Sequence, residues 1–70
     1  MTQDQVKLIK KHYQEGQRIV LINMDDPFTT LTAGDEGTIT HVDDIGQIHV
    51  SWDNGSSLAL NYLEDDFITK

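Results

Sequence analysis

Residues 36–53 read EGTITHVDDIGQIHVSWD, and this stretch decides the fold. Two β-rich runs, 37–42 and 47–52, are joined by Asp43-Asp44-Ile45-Gly46, and a second turn, Asp53-Asn54-Gly55, follows at once. Ile48, Val50 and Trp52 alternate, which places them on one face of a strand. Asp, Asn and Gly tolerate the backbone angles of tight hairpin turns. Two hairpin signals one strand apart in 70 residues demand a small, strongly bent β-sheet.

Upstream, Thr2 with Gln5 fits a capping box and Asp4 sits where the first turn of a helix favours an acid. Val6, Ile9 and Tyr13 recur at helical spacing with Lys7, Lys10 and Lys11 turned away, and Gly16 is a natural stop. The pattern predicts an amphipathic helix over 3–14, its stripe packed on the sheet or docked on a partner. Residues 18–24, RIVLINM, are too short for a second helix after Gly16 and read as a strand, broken by Asp25-Asp26-Pro27. A Thr-rich loop runs from Phe28 to Asp35. Downstream, Ser57–Leu60 reads as a fourth strand, Asn61–Asp66 as one helical turn and Phe67–Thr69 as a fifth strand.

Strand, long loop, three strands in tight meander, one helical turn, last strand: this is the order of an SH3-like barrel. The expectation is a mainly β chain, a single domain over 1–70, with a five-stranded SH3-like barrel over 17–69 and one N-terminal helix. Its core would be Val20, Ile22, Ile39, Val42, Ile48, Val50, Leu58, Leu60 and Phe67. Ile39 and Val42 differ in parity, so both point inward only if their strand carries a bulge.

The chain holds 12 acids against 5 Lys plus Arg, a formal net charge of -7. Lys7, Lys10, Lys11 and Arg18 precede residue 19, and the remaining base is Lys70. Between them stand Asp25, Asp26, Asp35, Glu36, Asp43, Asp44, Asp53, Glu64, Asp65 and Asp66. Such a surface repels phosphate and anionic lipid, which argues against direct nucleic-acid or membrane binding and for a basic protein partner. Its plain reading is solubility and turn chemistry. With no cysteine, disulfides and thiolate metal sites are excluded. The N-terminal run lacks the apolar core of a signal peptide, and no apolar stretch approaches membrane-spanning length, so a cytoplasmic chain is expected.

The segments RIVLINMDDPF, AGDEGTITHVDDIGQIHVSWDNGSSLAL and EDDF resemble an uncharacterised SH3-like domain-of-unknown-function family (family 4314). That family occurs in Gram-positive bacteria, their phages and conjugative elements. The likeness covers about residues 17–67 and is strongest in VDD-x-GQIHV-x-WDNGSSL. It implies a fold, a mobile-element setting and a bacterial host cytoplasm, and brings no catalytic residues.

Three histidines are present, and His12 sits among helix lysines as a solvated residue. If Asp44-Ile45-Gly46 forms a three-residue loop, His41 faces His49 across the ladder, close enough to share a zinc ion with Asp43 as a third ligand. With a four-residue loop His41 faces Ile48 and the site dissolves. The plain alternative is two half-exposed strand residues. The acidic pairs read as turn formers, because adjacent carboxylates on a strand or turn point apart. No phosphate-cradling glycine loop and no nucleophile elbow is present, so an enzyme is not expected.

The leading functional expectation is a non-enzymatic module whose acids Asp25, Asp26, Asp43, Asp44, Glu64, Asp65 and Asp66 engage a basic surface on a larger protein. Its concrete form is a phage-type anti-CRISPR inhibitor of a Cas9-type nuclease, whose heteroduplex channel is positively charged. The alternatives are an accessory domain binding zinc through His41 and His49, and an SH3-like peptide adaptor, which needs an aromatic-lined groove.

Overall fold

A computed structural model describes residues 2–23 and 31–70. Helix α1 spans Gln3–His12. Its start is the expected capping box: the Thr2 hydroxyl accepts from the Gln5 amide at 3.2 Å, and the Gln5 side chain accepts from the Thr2 amide at 2.9 Å. The helix ends earlier than the expected 14, because Tyr13 turns extended while its N–H still bonds the Ile9 carbonyl at 2.9 Å. Val6 and Ile9 are buried and α1 lies against the sheet, so the apolar stripe packs in cis.

The strands are β1 (Arg18–Asn23), β2 (Glu36–Val42), β3 (Gln47–Trp52), β4 (Leu60–Asn61) and β5 (Asp66–Thr69). They form one antiparallel sheet in the order β4-β3-β2-β1-β5. The sheet is not closed: β4 and β5 are its two edges. The expected break at Asp25-Asp26-Pro27 and the loop from Phe28 to Thr30 lie outside the described residues. No helix among the described residues is long and apolar enough to cross a membrane.

The β2–β3 hairpin is the expected one. Its ladder pairs Val42 with Ile48 and His41 with His49, then skips Thr40 and resumes at Ile39 with Val50. That bulge puts both Ile39 and Val42 on the core side, and Ile39 is fully buried. Gly37 pairs with Trp52 where a Cβ would come within 2.5 Å of Val50 Cγ1 and 2.9 Å of the Ser51 carbonyl oxygen.

The core cluster is Ile9, Ile19, Leu21, Leu31, Ile39, Ile48, Val50, Trp52 and Leu60, with Tyr13, Val42 and Phe67 packed against it. Two expectations are corrected. Strand β1 buries Ile19 and Leu21, not Val20 and Ile22, because Arg18 shares a face with the latter pair and its guanidinium reaches out to Asp53. Residues 57–59 do not continue β4, and Leu58 is exposed. There the Leu58 carbonyl accepts the Trp52 indole N–H at 2.9 Å, which satisfies the one polar atom of a buried ring instead of extending the ladder.

Candidate functional site

Asp25 and Asp26 lie outside the described residues. The other candidate residues fall into two separate places, the β2–β3 hairpin and the turn before β5.

At the hairpin, Asp44-Ile45-Gly46 is a three-residue loop, with Gly46 in the left-handed region at φ 87°. The imidazoles of His41 and His49 therefore stack, centroids 4.2 Å apart and 7° from parallel. Asp43 joins them: its Oδ2 lies 2.8 Å from His49 Nε2. Its Oδ1 accepts the Ile45 and Gln47 amides at 3.1 and 2.9 Å. Partial burial pushes this carboxyl upward, but the bonds from His49, Gln47 and Ile45 outweigh it and hold Asp43 below the usual carboxylate range.

The three groups meet, but not in the arrangement of a three-ligand metal site. Among the described residues no group of three His, Cys, Asp or Glu is arranged to hold a metal ion. The physical reason is that the two rings stack face to face, so their in-plane lone pairs run parallel instead of converging on one ion. The Thr40 hydroxyl donates to the His49 carbonyl at 3.2 Å and lies 3.3 Å from His41 Nδ1.

Most of the remaining carboxylates are engaged in the fold. Arg18 forks onto Asp53 with bonds of 2.9 and 2.6 Å and bonds Thr38 at 2.9 Å. Hydrogen bonding from Arg18, helped by the charges of Arg18 and Lys70, holds Asp53 below the usual carboxylate range against the opposing effect of burial. Glu36 pairs with Lys70 at 2.6 Å, and Asp44 with Lys10 at 3.0 Å. The surface after Arg18 is thus not uniformly negative, because folding returns Lys10, Arg18 and Lys70 to it.

Around the turn before β5 the balance differs. Asp65 accepts the Asn61 amide at 2.8 Å and shapes the turn. Its neighbours Glu64 and Asp66 form no ion pair among the described residues. Asp66 borders an aromatic cluster that the sequence did not reveal, and Glu64 lies in the turn before it: Tyr13 lies 6.0 Å from Tyr62 and 5.3 Å from Phe67, centroid to centroid. Burial, then Tyr62, raises the Tyr13 phenol above its ordinary pKa. One groove of about 410 Å³ runs between Leu8, His12, Tyr13, Tyr62 and Thr69. A second, of about 470 Å³, runs between Tyr13, Ile22, Tyr62, Asp65, Asp66, Phe67 and Ile68. The available signal was weak: Tyr13 is far in sequence from Tyr62 and Phe67, and only the helix exit brings it to the other two.

These features define a small acidic mainly β domain with an open five-stranded sheet and an acid-bordered aromatic groove at one edge. The chain belongs to the family described as Domain of unknown function (DUF4314), which matches residues 2–69. No curated protein and no solved structure matches it.

Proposed function

We propose that this domain is a non-enzymatic protein-binding module whose acidic, aromatic edge engages a basic surface on a larger protein. The observation that carries the reading is the placement of Glu64 and Asp66. Among the described residues both stay outside ion pairs, Asp66 beside exposed Tyr62 and Ile68 and Glu64 in the adjoining turn, whereas Glu36, Asp44 and Asp53 are neutralised within the fold. An apolar patch bordered by unneutralised charge is the composition of an interaction surface. In the finer form of this reading the sheet is an SH3-like half-open barrel, with strand order β5-β1-β2-β3-β4, bent at the bulges in β1 and β2.

The partner in its concrete form is a Cas9-type CRISPR nuclease in the cytoplasm of a bacterial host, its basic nucleic-acid-binding surface occupied by this module. Two considerations support that choice: the net charge of -7, and the likeness to a family of phages and mobile elements. The test adds the protein in several-fold excess to a panel of type II nucleases before guide or before target. Inhibition of DNA cleavage that weakens as salt rises is the expected result. Undiminished cleavage in every order of addition overturns the nuclease as partner.

A further inference from the structure

We propose that the open edge of β5 receives an extended segment of the partner as a sixth strand, its basic residues alternating with apolar ones. This rests on the protein-binding reading above and specifies its site. The Lys70 N–H donates to the Arg18 carbonyl at 2.9 Å, and the register sets Val20 opposite Ile68 and Ile19 opposite Thr69. Arg18 with Lys70 and Val20 with Ile68 are therefore the hydrogen-bonded pairs. By the same alternation the main-chain N–H and C=O groups of Phe67 and Thr69 point away from β1. The other side of β1 agrees: Leu21 donates to Asp35 at 2.8 Å and accepts from Gly34 at 2.7 Å, on the β2 side. No strand among the described residues covers the outer side of β5.

An uncovered edge is a template for strand addition, and proteins commonly blunt such edges with Lys or Pro. Strand β5 reads DFIT and has neither, and the Lys70 that follows is held by Glu36. Both grooves lie along this edge, Thr69 lining one and Phe67 and Ile68 the other, with Tyr13 and Tyr62 shared. They offer alternate pockets to an added strand. Asp66 at the start of β5, with Glu64 in the turn before it, selects Lys or Arg in the incoming segment, and a net charge of -7 disfavours a second copy of this chain.

The probe is a capped peptide, KVKIKVK, titrated into the 15N-labelled full chain. Its controls are EVEIEVE and KVKIKVK with alternate amides N-methylated. The basic peptide should slow hydrogen exchange at Phe67 and Thr69, leave Val20 and Ile68 unchanged, and bind more tightly than either control. Thr69→Pro removes an outward donor at an edge, where proline is tolerated. It should weaken the peptide about fivefold, the equivalent of one hydrogen bond of about 1 kcal/mol, with thermal stability retained. Equal binding of the N-methylated peptide, no change at the Phe67 and Thr69 amides, or concentration-dependent dimerisation that protects those amides would each overturn strand addition. Salt-sensitive nuclease binding that Thr69→Pro leaves intact would overturn it too, while the acidic-module reading stood.

Discussion

Gly37 shows how a single atom fixes the hairpin. A Cβ there would lie 2.5 Å from Val50 Cγ1 and 2.9 Å from a backbone carbonyl oxygen, and the backbone cannot yield as a flexible side chain could. Gly37→Ala should cost about 2 kcal/mol or more, the scale of overpacking in a tight core, read from the urea unfolding midpoint. Asp43 ties the same hairpin at its other end through two amides and His49. Asp43→Ala should cost about 1–2 kcal/mol in the same assay, as the loss of local hydrogen bonds requires. At Asp53 the effect is one of pH. Hydrogen bonding from Arg18 depresses its folded pKa. The stability it contributes is therefore complete above the unfolded carboxylate value and is lost as pH falls through the folded one. Asp53→Asn should lower stability at neutral pH and flatten that acid limb, so that variant and wild type converge in acid, measured by denaturant midpoints from neutral into the acid range.

At the level of elements, the parts legible in the sequence were those whose pattern has a marker. The capping box marked the start of α1, and the parity of Ile39 and Val42 marked the bulge in β2, while the β2–β3 register stayed open between two loop lengths that only the folded hairpin decides. Strand β1 lacked an obvious marker, since Ile19 through Ile22 are all apolar and either phase looks like a core face. Its phase follows from Arg18, which must reach solvent and Asp53, so 18, 20 and 22 share the outer face. Strand β4 was misplaced because no local pattern foretells that the Trp52 indole captures the Leu58 carbonyl. A matched pair of variants tests the phase. Leu21→Ala, at a site 1% exposed, should cost about 2–5 kcal/mol, while Val20→Ala should cost well under half of that. Comparable losses for the two in chemical denaturation would contradict the observed face.

For the whole molecule, the net charge of -7 says less than where folding leaves it. The sequence offered acidic clusters at 43–44 and 64–66 as equivalent contributors, and long-range pairing makes them unequal. Asp43 caps the hairpin and meets His49, and Asp44 pairs with Lys10, while among the described residues Asp66 at the aromatic edge and Glu64 in the turn before it stay outside ion pairs. Two charge reversals separate charge from position. Asp43→Lys with Asp44→Lys, and Glu64→Lys with Asp66→Lys, each replace two acids by two bases and move the formal charge from -7 to -3, since each replacement adds two units. If bulk charge drives partner binding, both pairs weaken it alike. If the β5 edge does, the Glu64 and Asp66 pair should abolish most binding at unchanged melting temperature, and its effect should shrink as salt screens the attraction. The Asp43 and Asp44 pair should instead lower the melting temperature, because it removes the hairpin cap and sets two lysines beside Lys10 and the stacked histidines. Melting curves and partner titrations on the same four samples, wild type, each pair and both together, check the expectation. Binding lost equally in the two pairs would return the argument to net charge and away from the edge.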